Sequence, residues 1–219
     1  MALTEHYYTK FHRRDFYHVY NRTVDRKPMF KNEGNYDFFL EKYTRYLSPV
    51  LDTYAYCLLG NHFHLLVGIH EHPDQDLTTF KKLSNLPLPL PSSPPKSTHD
   101  IISHQFRKFF QSYAMAFNKQ HSRIGTLFQT PFKRALVNND EYFTKLVYYI
   151  HANPQLHGLT DDFTDWNWSS YKVILYDEPH GIVKNADVIN KFSGKQCFEK
   201  YHTENQKLIH DEKYIMEDD

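Results

Sequence analysis

The sequence has little of what a secreted or membrane-bound protein needs. Its 219 residues include only two cysteines, Cys57 and Cys197, too few for a disulfide framework and in keeping with a reducing compartment. No apolar run reaches the roughly 18 residues of a transmembrane helix. The first residues, M-A-L-T-E-H-Y-Y, lack the apolar core of a signal peptide. We therefore expect a cytoplasmic protein without a membrane partner, whose length suits one sizeable domain or one domain with an appendage.

The chain also has no net charge, with 26 basic and 26 acidic residues, which by itself argues against a nucleic-acid ligand. The charges are unevenly distributed, however, because no acidic residue lies between Asp100 and Asp140. A basic surface interleaved with Phe and Tyr is typical of proteins that hold a phosphate backbone and stack on bases. A charge-segregated, solvated face is the alternative interpretation of the same pattern.

The stretch Tyr54 to Val67 reads Y-A-Y-C-L-L-G-N-H-F-H-L-L-V. Two apolar runs flank Gly60-Asn61, a pair that favours a tight turn, so we predict a β-hairpin. Side chains alternate along a strand, which places His62 and His64 on one face and Phe63 on the other. Two imidazoles side by side on a rigid strand are half of a divalent-metal site.

The H-x-H spacing is weak on its own. The chain has fifteen histidines, so roughly one such pair is expected by chance. A second pair, His70-Glu71-His72, does occur beside Pro73 in a polar stretch, and we predict that it lies in a solvated loop. The meaning of the first pair therefore depends on what else lies near it.

The remaining elements follow from hydrophobic periodicity, capping residues and prolines. We predict strands at Phe16 to Val24 and at Gly125 to Val137, the second with an irregularity at Pro131. We predict helices at Glu33 to Leu47 (capped by Asn32), Asp74 to Leu83, Asp100 to Lys119 and Asp140 to Asn153 (ended by Pro154), and one or two short helices in Asn185 to Lys200. The segment Leu86 to Pro95 is too rich in proline for a helix or a central strand.

This order of elements predicts an α+β fold. We expect a ferredoxin-like antiparallel sheet with helices packed on one face, plus a small helical C-terminal appendage. The predicted boundaries are 1–160 for the main domain, with a Pro-rich insertion near 86–98, and 161–219 for the appendage.

On the helix before Pro154, the residues Lys145, Tyr149 and Asn153 are spaced i, i+4, i+8 and so share one face. Asn153 offers an oxygen suited to Mg²⁺ or Mn²⁺, and Tyr149 offers a phenol one turn earlier. If this face packs beside the two histidines, a metal could polarise a phosphodiester while Tyr149 attacks phosphorus, with Lys145 favouring the phenolate. Spacing alone leaves the alternative that these are ordinary core and helix-end residues.

Several blocks of the sequence, in this order, resemble the single-tyrosine HUH transposases, and most closely the REP-associated tyrosine transposases. The blocks are Y-H-V-Y-N-R (Tyr17 to Arg22), N-H-F-H-L-L (Asn61 to Leu66), L-F-Q-T-P-F-K (Leu127 to Lys133), Y-I-H-A-N-P (Tyr149 to Pro154) and W-N-W-S-S-Y (Trp166 to Tyr171). The resemblance implies Tyr149 as nucleophile, and His62, His64 and Asn153 as metal ligands. Tyr148 is a second candidate, about 100° away around the helix.

The function implied by this resemblance is a transposase-like DNA endonuclease and strand transferase. It would use Mg²⁺ or Mn²⁺ and cleave single-stranded or hairpin DNA through a 5′-phosphotyrosine intermediate, as a monomer or a homodimer. We expect the DNA backbone to be held by five basic residues: Arg22, Arg107, Lys108, Lys133 and Arg134. The sequence departs from the family at Gly60, where proline is common, and at Thr130-Pro131, where a basic residue is common.

Two other functions are compatible with the same residues. One is a non-catalytic DNA-binding module that keeps the fold. The other is a zinc protein, because a two-residue turn pairs Cys57 with His64 on one face of the hairpin. Cys57, His62 and His64 would then form a plausible zinc set.

Overall fold

The structure is a computed structural model that describes residues 8–84, 86, 96–178 and 182–207. Nearly all of the predicted Pro-rich segment, 87–95, lies outside the described residues. None of the helices in the described ranges is long and apolar enough to span a bilayer.

In the described part of the chain, strands and helices follow one another in nearly the predicted order. They are β1 (Phe16–Arg22), α1 (Glu33–Leu47), β2 (Leu51–Leu58), β3 (His62–Ile69), α2 (Pro73–Leu83), α3 (Thr98–Gln120), β4 (Lys133–Val137), α4 (Asp140–Leu156), α5 (Tyr171–Leu175), α6 (Asn185–Lys191) and α7 (Lys195–Gln206). The short helix at Tyr171–Leu175 was not predicted, and the predicted helical stretch from Asn185 is two helices that end at Gln206.

The four strands form an antiparallel sheet in the order β2-β3-β1-β4. With a helix in each crossover this is the ferredoxin-like arrangement, so the predicted fold class is confirmed. The predicted hairpin is also present: Cys57 pairs with His64, and the Leu59 N–H donates to the His62 carbonyl at 2.9 Å across the turn. The two-residue turn therefore fixes which side chains share a face.

Helices cover both faces of the sheet rather than one. The first face, with Tyr17, Val19 and Phe63, packs with α1 and α3 in one buried cluster. The second face, with Cys57 and Leu66, packs with α4 and the C-terminal helices. The prediction of helices on one face is thus wrong for α4. The reason is that β3 is buried along its whole length, and a strand buried on both faces needs a packed layer on each side.

Of the predicted boundaries that differ from the structure, two belong to the last strand and to α4. Regular pairing in the last strand begins only at Lys133, because the preceding segment contains Pro131, which has no N–H to give to a ladder. Helix α4 continues past Pro154 to Leu156. Proline so near a helix end removes one hydrogen bond, and the Asn153 side chain adds one by donating from Nδ2 to the Tyr149 carbonyl at 2.9 Å.

Both outer strands of the sheet are hydrogen-bonded to segments outside it. Along β2, the Leu58 N–H donates to the Trp168 carbonyl, and the Ser170 N–H donates to the Tyr56 carbonyl. Along β4, Tyr8 forms a parallel bridge with Arg134. Residues beyond 160 thus pack directly on the sheet, and the predicted domain boundary at residue 160 stays a prediction.

Candidate functional site

The paired histidines lie on the sheet face covered by α4. In the register of β1 and β3, Arg22 is opposite His62, and Tyr20 is opposite His64. The two imidazole rings are 5.4 Å apart and nearly perpendicular. His64 is fully buried, and His62 is 8% exposed. The fold therefore places both imidazoles on one face of the sheet, as the H-x-H spacing predicted; their role as metal ligands stays a prediction.

The turn residue Asn61 sets the proton position on His62. His62 Nδ1 lies 2.6 Å from Asn61 Oδ1, while Asn61 Nδ2 donates to the Arg26 carbonyl at 2.7 Å. Because an amide oxygen only accepts, His62 Nδ1 must donate and carry the proton. His62 Nε2 is then the ring nitrogen with the lone pair, as a metal ligand requires.

A third histidine, His18, lies in the same cluster and was not predicted as a site residue. His18 Nε2 is 3.0 Å from His64 Nδ1. Its ring also stacks on Tyr20, with centroids 4.7 Å apart. His18 lies on β1, diagonally across the β1–β3 pair from His64. Alternation along the strand predicts which face of β1 His18 occupies. The sequence does not predict that β1 pairs with a strand about 45 residues later.

One face of α4 completes the cluster. The ring of Tyr149 lies edge-on to His64 at 5.7 Å and to His18 at 6.1 Å. One turn later Asn153 is fully buried, and its Oδ1 has no hydrogen-bond partner among the described residues. One further turn on, His157 lies edge-on to His62 at 4.8 Å. His157 was missed because the helix was predicted to end at Pro154.

A small cavity of about 20 Å³ adjoins the histidine pair, enough for one water-sized body. Several of its lining residues are basic or aromatic, and none of them belongs to α4. The lining residues are Tyr20, Asn21, Arg22, His62, Phe63, His64, Gln129 and Lys133. Lys133 Nζ lies 5.5 Å from the centre of the Tyr20 ring. Two of the five predicted DNA contacts, Arg22 and Lys133, are thus next to the candidate site.

The structure places the other three predicted DNA contacts elsewhere. Arg107 and Lys108 are on α3, which covers the opposite face of the sheet. Arg134 is only 8% exposed, and its Nε donates to the Thr9 carbonyl at 2.7 Å. Burial lowers the pKa of Arg134. Because Arg134 follows Lys133 in a strand, its side chain takes the opposite face and holds the N-terminal segment.

Lys145 lies at the surface of α4, and its predicted role beside Tyr149 stays a prediction. Its side chain is 55% exposed, and Nζ lies 2.6 Å from Glu141 Oε1, one turn earlier on α4. Lys145 is therefore an i, i+4 ion-pair partner on the outer surface of the helix, a contact that is weak in water.

The neighbouring tyrosine, Tyr148, faces away from the sheet. Its ring lies 5.5 Å from His202 on α7. There His151 Nδ1 is 2.9 Å from His202 Nε2, and His151 Nε2 is 2.8 Å from Ser170 Oγ. His202 Nδ1 donates to the Phe198 carbonyl at 2.8 Å. We call His151, Ser170 and His202 the anchor cluster, because they join α4 to the C-terminal helices.

Protons in the anchor cluster can be placed in one consistent direction. The Phe198 carbonyl only accepts, so His202 carries its proton on Nδ1 and accepts at Nε2 from His151. His151 then accepts at Nε2 from the Ser170 hydroxyl. Burial lowers the pKa of His151 well below its usual value and that of His202 to about 4. Both rings are thus neutral, with every nitrogen hydrogen-bonded.

The structure gives no support to a zinc site at Cys57. Cys57 does pair with His64 as predicted, but burial raises the pKa of its thiol well above the usual value, and zinc binds the thiolate. Among the described residues, no group of three or more His, Cys, Asp or Glu side chains could hold a metal ion. That finding does not concern the amide of Asn153.

The second H-x-H pair lies in a loop, as predicted, and His72 is exposed. His70 is less solvated than predicted: it is half-buried, with Nε2 3.4 Å from Asp52 and Nδ1 3.0 Å from Asp76. The hydrogen bond to Asp52 is the main reason that the pKa of His70 is raised. Both ring nitrogens are engaged by carboxylates, which makes His70 an ion-pair partner rather than a ligand.

The chain is similar to known proteins in sequence and in fold. A provisionally named REP-associated tyrosine transposase of Haemophilus influenzae is 28% identical over 134 residues, which cover 59% of this chain and 66% of that protein. A structure of a REP-associated tyrosine transposase bound to a REP hairpin is 15% identical, with a TM-score of 0.53, over 81% of this chain and 86% of that one. No protein-family model matches the chain.

The two matches confirm the resemblance predicted from the sequence blocks. The first is a likeness of sequence that spans about two thirds of the relative, and the second is a likeness of fold. The chain therefore resembles the REP-associated tyrosine transposases in both sequence and architecture.

Proposed function

We propose that the protein is a transposase-like DNA endonuclease and strand transferase. It cleaves single-stranded or hairpin DNA with Tyr149 as nucleophile and depends on a divalent metal, Mg²⁺ or Mn²⁺. The observation that carries the proposal is the position of the Tyr149 ring, edge-on to His64 at 5.7 Å and to His18 at 6.1 Å, on the helix face that also bears Asn153.

The residues present fit a metal ion. Asn153 is a fully buried amide whose Oδ1 has no hydrogen-bond partner in the described part of the chain, and leaving such a group unpaired costs about 1–3 kcal/mol. His62 is held with its lone pair on Nε2 by the bond from Nδ1 to Asn61. We propose His62, His64 and Asn153 as the ligands. When bound, the metal would draw charge from a phosphodiester oxygen.

The chemistry assigned to Tyr149 is an exchange of esters. Its phenol oxygen forms a bond to phosphorus as the bond between phosphorus and the 3′ oxygen breaks. The phenol loses a proton and the 3′ oxygen gains one, which leaves a 5′-phosphotyrosine and a 3′-hydroxyl. Attack by a 3′-hydroxyl reverses the exchange and joins strands. Each step replaces one phosphate ester by another, so no nucleotide cofactor is required.

Substrate binding is assigned to the open end of the same sheet face. Lys133 and Arg22 line the cavity beside the histidines, where they can neutralise phosphates. Arg107, Lys108 and Arg134 are not part of this surface, because they lie on the other side of the sheet or are engaged inside the protein.

The test is formation of a covalent adduct. Wild-type protein is incubated with Mn²⁺ and a library of single-stranded and hairpin DNA, and denaturing electrophoresis detects protein joined to DNA. We expect Tyr149→Phe to abolish the adduct while DNA binding is kept. Tyr148→Phe is the matched control: this neighbouring buried tyrosine faces α7, so the adduct should persist.

Two outcomes would contradict the proposal. An adduct that survives in Tyr149→Phe and disappears in Tyr148→Phe would assign the nucleophile to the other tyrosine. DNA binding by the wild-type protein without an adduct, across the whole library, would favour a non-catalytic DNA-binding module.

A further inference from the structure

We propose that His18 is a positioning residue that sets the tautomer of His64. It accepts a hydrogen bond from His64 Nδ1–H, so that the lone pair of His64 is on Nε2. The inference rests on the proposed function, because it concerns the ability of His64 to bind the metal. The observation that supports it is the 3.0 Å distance between His18 Nε2 and His64 Nδ1 inside the protein.

A neutral imidazole carries one proton on either of its two nitrogens, and only the other nitrogen can bind a metal. His64 Nδ1 is already occupied by its contact with His18. We therefore assign Nε2 to the metal, and this nitrogen has a lone pair only if the proton is on Nδ1. A partner that accepts at Nδ1 enforces this state, as the outer partners of metal-bound histidines do in general.

The other half of the pair is already arranged in this way. His62 Nδ1 meets Asn61 Oδ1 at 2.6 Å, an oxygen that can only accept. His18 thus stands to His64 as Asn61 stands to His62. The difference is that an imidazole can donate or accept, so for His64 the direction of the hydrogen bond has to be measured.

The surroundings of His18 hold its ring still. It is 4% exposed, stacks on Tyr20 at 4.7 Å and lies edge-on to Tyr149 at 6.1 Å. Because Tyr20, Tyr149 and His64 surround the His18 ring, it cannot turn easily, so Nε2 stays next to His64 Nδ1 and the His64 ring is held in one orientation.

Two substitutions separate the hydrogen bond from the packing. His18→Phe keeps an aromatic ring but cannot accept a hydrogen bond. His18→Gln loses the ring but places an amide oxygen near the position of Nε2. Circular dichroism and thermal melting establish that each variant is folded.

The first readout is the tautomer of His64 in metal-free protein, from long-range proton–nitrogen NMR spectra at about pH 8, where free histidine is neutral. We expect the proton on Nδ1 in the wild-type protein and in His18→Gln, and loss of that preference in His18→Phe. A proton on Nε2 in the wild-type protein would overturn the inference, and so would an unchanged tautomer in His18→Phe.

The second readout is calorimetric titration with Mn²⁺ alone. We expect His18→Phe to bind Mn²⁺ about 10–100-fold more weakly than wild type, and His18→Gln to lose less than about tenfold. Equal affinity in wild type and His18→Phe would overturn the role of His18 and leave the proposed function intact. No Mn²⁺ binding by the wild-type protein would overturn the metal-dependent function and, with it, this inference.

Discussion

The two sides of α4 carry similar residues in different environments. The sheet side presents Tyr149 and Asn153 to the histidines of β1 and β3. The opposite side presents Tyr148 and His151 to α7. Each side thus has a buried tyrosine next to a hydrogen-bonded pair of imidazoles, with nitrogens 3.0 Å apart on the sheet side and 2.9 Å apart on the other.

What separates the two sides is how completely the polar atoms of their imidazole and amide groups are hydrogen-bonded. In the anchor cluster all four ring nitrogens are hydrogen-bonded, and the chain of bonds ends on a backbone carbonyl. On the sheet side, Asn153 keeps a buried oxygen without a hydrogen bond in the described residues, and the cluster opens onto a basic cavity. A complete set of hydrogen bonds stabilises the fold, whereas the buried Asn153 oxygen beside the cavity is the atom that the proposed metal ion would pair.

The largest effect should come from breaking the anchor cluster. His151→Phe leaves Ser170 Oγ and His202 Nε2 buried and each short of one hydrogen bond, at about 1–3 kcal/mol apiece. We expect a loss of about 2–5 kcal/mol in the free energy of unfolding, measured by urea denaturation. The folded fraction should still form the DNA adduct.

A double-variant cycle with His202→Phe controls for packing. Because the two imidazoles share a hydrogen bond, the double variant should cost less than the sum of the single variants. Simple additivity would show that the hydrogen bond contributes nothing of its own.

Lowering the pH should have the next largest effect on the free energy of unfolding, because the two histidines of the anchor cluster resist protonation in the folded protein. Burial lowers the pKa of His202 to about 4 and that of His151 well below its usual value, while both titrate near 6.5 in the unfolded chain. As pH falls below about 6.5, the unfolded state binds protons that the folded state does not, so stability decreases. For His202 the loss approaches about 3 kcal/mol near pH 4.

The measurement is urea denaturation in steps from pH 7.5 to pH 4.5. In His202→Phe the protein should be less stable at pH 7.5 but should lose less stability on acidification. A variant that loses as much stability as the wild-type protein would contradict the assignment to His202.

The smallest expected effects concern Lys133 and Arg134, two consecutive residues of β4 whose side chains lie on opposite faces of the sheet. Lys133→Met should weaken DNA binding and reduce the slope of log affinity against log salt by about 0.7–0.9, the contribution of one phosphate contact. Arg134→Met should leave that slope unchanged and cost about 1–2 kcal/mol of stability, since its guanidinium bonds Thr9 and Tyr8. Exchange of the two results would place the DNA on the other face.

Features set by neighbouring residues could be predicted from the sequence. The turn at Gly60-Asn61 fixed the pairing of Cys57 with His64. Helix α1 begins and ends where its N-cap Asn32 and apolar stripe placed it, and Asn32 Oδ1 accepts from the Asn35 N–H at 3.1 Å. The i, i+4 relation of Tyr149 and Asn153 needed only the geometry of a helix.

Features set by distant packing could not be predicted. The periodicity of a helix does not show which face of the sheet the helix covers. Helix α3, with Arg107 and Lys108, covers the face opposite the histidines. Alternation in β4 separated Lys133 from Arg134, but the partner of each depended on the N-terminal segment and on β1. His18 became a neighbour of His64 only through pairing across 46 positions.

The covered edges of the sheet have a consequence for the behaviour of the protein at high concentration. Exposed edge strands recruit strands of other molecules and start β-aggregation. Here the outer backbone of β2 is bonded to Trp168 and Ser170, and that of β4 is bridged by Tyr8. At these positions a strand of another copy cannot form hydrogen bonds with the sheet. The segment after α4 therefore also prevents self-association through the edge strand β2.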